Sequence, residues 1–252
     1  MSDPNILFVV THPDDESLWC SSIIKTLKDW GCRVSAICLT GGDDKVRRAE
    51  YARACVVLGI PVCMMTLPDK TTFPDLGAMM ESTLDENGIN IADIDLVISH
   101  SFYGEEQNHF QHKECFFQVK RWCDKSGKLH GFFAERCLIK PMLNKVNSEI
   151  VQFYTWSLLS KLAGFYRNLL MQDVRIRTTL KYNLHLLLYL TRYSKYNVCV
   201  SFPVDLRWKH SLLACYRSRS DVQSDQSYKA YMNRQEFLYL PGLKPSFFMG
   251  KL

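Results

Sequence analysis

Apolar residues in the first hundred positions fall into short unbroken runs, separated by stretches in which they recur every three or four residues. Residues 6–10, Ile-Leu-Phe-Val-Val, form the first run. Five apolar or β-branched residues in a row predict a strand covered on both faces, as in a parallel sheet. Over 17–30, Leu18, Ile23, Ile24, Leu27 and Trp30 repeat with lysines between them, and the pattern stops at Gly31. That spacing predicts an amphipathic helix. The alternation continues with a strand over 33–39, a helix over 46–58 ended by Gly59, a strand over 62–67, a helix over 76–84 and a strand over 95–99. Four strand–helix alternations predict an α/β fold, a Rossmann-like, doubly wound and mostly parallel sheet with helices on both faces. No Gly-x-Gly-x-x-Gly follows the first strand, so a dinucleotide cofactor is not expected.

Later in the chain the pattern becomes helical from His112, with Cys115, Phe116, Val119 and Trp122 on one side. Residues 151–156 alternate and suit a late strand. Leu158, Leu159, Leu162, Phe165, Tyr166, Leu169 and Leu170 then form a helical stripe, and 182–193 is nearly all apolar between flanking cations. One more strand is expected over 198–202, a polar helical stretch over 206–231, and a Pro-containing tail. There are no internal repeats, and 252 residues suit a single domain over 1–252.

Net charge changes this picture little, and its placement changes it more. A formal charge of +5 is too mild to argue for nucleic acid. Between 150 and 204, however, seven cations stand against Asp173 alone, which leaves the remainder close to neutral. Ten cysteines without any Cys-x-x-Cys suggest free thiols in a reducing compartment rather than a cysteine metal site. No basic N-terminal region runs into an apolar one, and no window of about 18 residues is free of charge, so neither a signal peptide nor a transmembrane helix is expected.

Chemistry concentrates where the first strand ends. Residues 11–16 switch abruptly to Thr-His-Pro-Asp-Asp-Glu. Ligands of open α/β sheets gather outside the carboxyl ends of strands, and Pro13 bends the exit so that His12 and Asp15 can converge. The fourth strand opens into a second polar stretch holding His109 and His112, three apart at a helix start and spaced to project the same way. Catalytic zinc usually keeps three protein ligands and one open position. His12, Asp15 and His112 supply such a set, with right-handed winding able to bring the two strand ends together. Asp14 is then expected as the general base, and His109 as the residue that stabilises an oxyanion or protonates a leaving amine. Metal-assisted hydrolysis of an amide follows. His100 is read as an ordinary hydrogen-bonded histidine at a strand end, and His130, His185 and His210 receive no role.

These residues resemble a known family. Thr-His-Pro-Asp-Asp-Glu is similar to the Ala-His-Pro-Asp-Asp-Glu signature of zinc de-N-acetylases of the PIG-L/LmbE type, and 108–112 resembles their second His-x-x-His motif. Between them Leu39-Thr40-Gly41-Gly42, the run 46–51 and Val57-Leu58-Gly59 are similar to the family's second loop and helix. The resemblance covers roughly the first 160 residues. It implies an LmbE-like fold and Zn2+ at His12, Asp15 and His112, with another divalent metal as an alternative. Asp14 would be the base and His109 the electrophilic or acid histidine, and Arg47 would reach the substrate's phosphoryl or inositol end.

The eukaryotic branch removes acetyl from N-acetylglucosaminyl-phosphatidylinositol on the cytoplasmic face of the endoplasmic reticulum, the second step of GPI-anchor assembly. The cationic, leucine- and aromatic-rich stretch 151–195 suits an anionic membrane interface. Two further features lean the same way: 214–219, similar to the family's C-terminal Ala-x-His-x-Ser-Gln motif, and the bulky Tyr and Phe residues near the end. A glycolipid substrate and peripheral membrane attachment are the resulting expectations. The alternatives are a deacetylase of a small soluble glycoside and a catalytically silent sugar-lipid binding module. Three departures stand out. Phe110 and Gln111 replace a Pro and an Asp, which removes that carboxylate's support of the site. Tyr216 and Arg219 replace the His and Gln of the C-terminal motif. The membrane-spanning helix with which eukaryotic members often begin is absent, leaving attachment to the middle segment or to partners.

Overall fold

A computed structural model describes residues 3–69, 71–73, 75–102, 109–134, 198–218 and 235–240. The chain divides into two compact units, Met1–Arg136 with Tyr196–Leu252, and Cys137–Lys195. The second unit lies outside the described residues, as do the strand expected over 151–156, the stripes over 158–193 and the segment 151–195 expected to suit a membrane interface.

In the first unit the elements run β1 (Asn5–Val10), α1 (Asp15–Trp19), α2 (Ser21–Asp29), β2 (Arg33–Thr40), α3 (Lys45–Leu58), β3 (Val62–Leu67), α4 (Leu76–Glu86), β4 (Leu96–Ser99), α5 (Phe110–Ser126), β5 (Leu129–Ala134), β6 (Val198–Pro203), α6 (Leu206–Leu213) and β7 (Gln235–Leu240). Among the described residues seven strands form one sheet in the order β3-β2-β1-β4-β5-β7-β6. The first five are mutually parallel, whereas β7 runs antiparallel to both β5 and β6. The fold is therefore the α/β, mostly parallel arrangement that the alternation predicts.

Both faces of β1 are covered. Ile6, Phe8 and Val10 join a core with Ile23, Leu27, Tyr51 and Leu58, while Leu7 and Val9 join a second with Leu76, Met80, Val119 and Trp122. This double burial explains the unbroken apolar run, since each side chain so buried stabilises the fold by about 1.5–3 kcal/mol.

Four elements differ from expectation. The helix expected over 17–30 is two, broken at Cys20, whose φ of −139° and ψ of 16° are not helical. Helix α2 starts afresh after the break, with the Ser22 and Ile23 amides bound by Glu236. The helix expected over 206–231 ends at Leu213, and a turn follows through Tyr216. Strands β5 and β7 carry no alternation that marks them. Leu129-His130-Gly131 contains a glycine, and β7 falls in what reads as tail.

Candidate active site

Strand order reverses between β1 and β4, and the carboxyl ends of these two strands release the residues of the site. His12 to Asp15 form a tight turn after β1. The Asp15 amide donates to the His12 carbonyl at 3.1 Å, and the His12 amide donates to Asp15 Oδ2 at 2.7 Å. Asp14, buried within this turn, has φ 147°, a conformation that costs a non-glycine residue about 1–3 kcal/mol and is found at functional sites. Its carbonyl accepts the amides of Ser17 and Leu18 and so starts α1. Gly42, in the loop after β2, lies so close to β3 that a Cβ there would meet the Met65 carbonyl oxygen at 2.5 Å, so only glycine lets this loop fold back beside the site.

His112 enters from the first turn of α5, one hundred residues from His12. Three donor atoms then close a triangle: His12 Nδ1 to His112 Nε2 is 3.1 Å, His12 Nδ1 to Asp15 Oδ2 3.4 Å, and His112 Nε2 to Asp15 Oδ2 3.3 Å. Donors about 2.0–2.1 Å from a tetrahedral zinc ion stand about 3.3–3.4 Å apart, so the triangle fits a small divalent cation. All three side chains are buried.

The other ring nitrogen of His12 points to acceptors, Asp69 Oδ1 and Gln111 Oε1, each at 3.2 Å. These acceptors hold a hydrogen on Nε2, so Nδ1 is the nitrogen that would face a metal once its own proton is displaced, the tautomer that ligation requires. Gln111 thus corrects the sequence-based reading. The carboxylate that relatives carry at this position is replaced by an amide oxygen, and Asp69 supplies a carboxylate from the β3–α4 loop. Neither was legible as a site residue.

His100 is hydrogen-bonded, as read from its strand-end position, and also packs against the triangle. It is fully buried at the carboxyl end of β4, stacks on His112 with ring centroids 3.9 Å apart, and places Nε2 3.2 Å from Asp15 Oδ2. The same Nε2 accepts the Thr11 amide at 3.1 Å, so its lone pair is engaged by the backbone. Asp15, His100 and His112 form one group of potential ligands, and His12, His109 and His112 another. The occupied lone pair of His100 favours His12 as the third member beside Asp15 and His112. His100's position at a strand end beside the switch point was the signal available, the same one that marks His12.

His109 precedes α5, packing edge-on to His12 and stacked on His112 with centroids 4.8 and 4.5 Å away. Its Nδ1 is buried with no hydrogen-bond partner among the described residues. Burial, reinforced by the neighbouring charges of His112 and His12, pushes its pKa down to about 4, so it is neutral at pH 7. His12 goes the other way. Burial opposes its charge, but hydrogen bonds to Asp15 and Asp69 win and raise it to about 9. Burial likewise opposes the Asp15 carboxylate, yet the His112 and His100 imidazoles hold it well below the usual carboxylate range. This balance favours positive charge at the centre of the triangle. Glu16, fully buried, is raised to about 7 by burial.

Arg47 lies in the first turn of α3, where Asp44 accepts the amides of Val46 and Arg47. Its Nε is buried without a hydrogen-bond partner among the described residues. No contact joins it to the triangle among those residues. Asn108 and Arg219 lie outside the described residues. Cys20, Cys38, Cys55 and Cys115 are buried free thiols, and burial pushes the first three well up.

Residues 7–123 match the family model of PIG-L, described as GlcNAc-PI de-N-acetylase. Among solved structures, the A40926 pseudoaglycone deacetylase Dbv21 is 14% identical with a TM-score of 0.55, over 95% of this chain and 97% of that one. The zinc-inhibited form of teicoplanin deacetylase Orf2 is 11% identical with the same TM-score, over 93% and 97%. N,N'-diacetylchitobiose deacetylase from Pyrococcus horikoshii is 20% identical with a TM-score of 0.39, over 48% of this chain. The present chain spans 50% of that protein's length. Dbv21 and Orf2 share this fold. Among the described residues no helix is long and apolar enough to cross a membrane.

Proposed function

We propose, from a chain whose residues 7–123 match the PIG-L family model, a metal-dependent amide hydrolase that removes the N-acetyl group from N-acetylglucosaminyl-phosphatidylinositol, releasing acetate and the free amine. The donor triangle of His12, Asp15 and His112 carries this reading, because its edges of 3.1 to 3.4 Å fit a divalent ion and its charge balance attracts one. His12, Asp15 and His112 would hold the ion, which when bound would lower the pKa of a water to about 7 and polarise a carbonyl oxygen. Asp14, held in its strained turn beside the triangle, takes the proton from the attacking water. His109, neutral at pH 7, would donate a hydrogen bond to the developing oxyanion, and the proton that Asp14 takes from the water would pass to the departing amine. Asp69 and Gln111 hold a hydrogen on His12 Nε2, so that Nδ1 is the nitrogen that would face the ion. Arg47 meets the phosphoryl end of the substrate with its Nε, which has no hydrogen-bond partner among the described residues.

Choice of the lipid substrate draws on the family description and on the cationic, apolar stretch 151–195, which fits an anionic interface. It carries with it a peripheral position on the cytoplasmic face of the endoplasmic reticulum, with 151–195 as the membrane-facing segment of a single de-N-acetylase domain. The test is acetate release by purified protein from N-acetylglucosaminyl-phosphatidylinositol and from a water-soluble N-acetylglucosaminyl glycoside, each before and after chelation. Turnover of the lipid that chelator abolishes and zinc restores is expected. Turnover of the soluble glycoside alone would move the substrate class, and metal-loaded protein inert on both would make the chain a binding module.

A further inference from the structure

Four side chains that neither ligate nor react in the proposed mechanism converge on α1 and its neighbours from the far end of the sequence. The Tyr216 hydroxyl donates to Glu16 Oε1, which also accepts Ser17 Oγ at 2.5 Å, and all three residues are buried. Lys209, fully buried on α6, donates to the Leu18 carbonyl at 2.6 Å and to Glu236 Oε1 at 3.1 Å. Glu236 on β7 in turn accepts the Ser22 and Ile23 amides at 2.8 and 3.1 Å, binding the start of α2. Two residues after Tyr216, Ser218 donates its amide and hydroxyl to the two oxygens of Glu50 on α3, at 2.7 and 2.6 Å.

Helix α1 is only five residues long and cannot hold itself. It nevertheless begins with Asp15, whose Oδ2 forms one corner of the triangle, and it starts from the strained Asp14. Something must fix its position, and the bonds from Tyr216 and Lys209 grip it at Glu16 and Leu18. The hydroxyl of Tyr216 is the most direct of these, ending on the residue next to Asp15.

We infer that Tyr216 is a positioning residue: its hydroxyl, through Glu16, anchors the turn that carries Asp14 and Asp15, so the stretch 214–218 works as a brace across α1 and α3 rather than as a wall of the substrate pocket. This rests on the metal-dependent reading above for its consequence, and on the α1 contacts for its substance. A histidine in the same place, as in the relatives that 214–219 resembles, can also donate a hydrogen to Glu16, whereas phenylalanine cannot.

The experiment compares the parent with Tyr216→Phe and Tyr216→His by amide hydrogen exchange and by zinc titration. In Tyr216→Phe, exchange of the Ser17 and Leu18 amides, both bound to the Asp14 carbonyl, is expected to rise about tenfold or more while β1 and β2 amides stay unchanged. Zinc affinity is expected to fall about 10- to 100-fold, and Tyr216→His to restore both. Uniform acceleration across the sheet, or unchanged exchange at Ser17 and Leu18, would overturn the inference. Should Tyr216→Phe fail to fold, Glu16→Leu, which removes the acceptor of the same bond, decides: faster exchange at Ser17 and Leu18 supports the brace, and parent-like exchange refutes it. A parent that binds no zinc would defeat the hydrolase reading, while the exchange at α1 would still decide the positioning role.

Discussion

Elements β1 to α5 and the late elements β6, α6 and β7 both reach α1, but from opposite distances in sequence. In the first region His12 and Asp15 are three residues apart, and their motif can be read at a glance. In the second, Tyr216 reaches Glu16 across 200 residues and Lys209 reaches Leu18 across 191. The first region holds the reacting groups on strand ends, and the second holds the first region still. Reactive groups thus leave a local signature, because chemistry needs particular side chains at fixed spacing. Bracing groups leave almost none, because any donor arriving from anywhere can serve.

Substitutions can break this division in order of effect. His112→Ala removes one corner of the triangle and is expected to abolish chelator-sensitive acetate release, with zinc content falling well below that of the parent. Equal zinc in both would remove His112 from the ligand set. On the bracing side, Glu236→Ala leaves the Lys209 ammonium buried without its carboxylate, and chemical denaturation should show a loss of about 3–5 kcal/mol. A loss under about 1 kcal/mol would mean that the late elements do not brace the fold. Asp14→Asn should keep its zinc and lose at least about 10²-fold in kcat, about 2.7 kcal/mol of barrier. Rates within a few-fold of the parent would take Asp14 out of the mechanism. Asp69→Asn, at a half-exposed position, should weaken zinc binding about tenfold, since Gln111 still accepts from His12.

The last effect is felt only in acid and concerns a histidine outside both groups. His130, fully buried on β5 and hydrogen-bonded to Ser99 Oγ at 2.9 Å, is pushed down to about 3 by burial and, secondarily, by Lys120. Below pH 6.5 the unfolded chain takes up a proton at this side chain that the folded chain refuses until about pH 3. Stability from this group is therefore complete above pH 6.5 and declines as pH falls through that window, by at most about 1.4 kcal/mol per unit. His130→Asn should flatten the acid limb of a stability–pH profile relative to the parent. Parallel profiles would show that His130 titrates normally.

How much of this could be read in advance follows the same division. The five parallel strands would be complete in the sequence but for β5, where Gly131 interrupts the apolar run. That glycine is imposed by a neighbour: a Cβ there would meet Tyr239 O and the Leu240 side chain, both at 2.9 Å. A pattern reader sees a weakened strand, where the sheet needs a close approach of β7. Strand β7 itself pairs with β5 and β6, both far away in sequence, and no short-range turn announces it. At the site, His12, Asp14, Asp15, His109 and His112 were legible because motif and strand end coincide. Asp69 was hidden in a loop without a motif, Gln111 was read as a loss, and His100 was set aside although it stands at the strand end beside the reversal. The split of α1 from α2 depends on Glu236, more than two hundred residues on, and nothing near Cys20 predicts it.

The central claim is that one ion is shared by residues from two strand ends. X-ray absorption at the metal edge of protein purified without added zinc tests it most directly. The account predicts about one bound divalent ion with only nitrogen and oxygen neighbours, including two imidazoles, and a metal edge that falls sharply in His112→Ala. A sulfur shell from the cysteines, or protein that retains no metal at all, would contradict it.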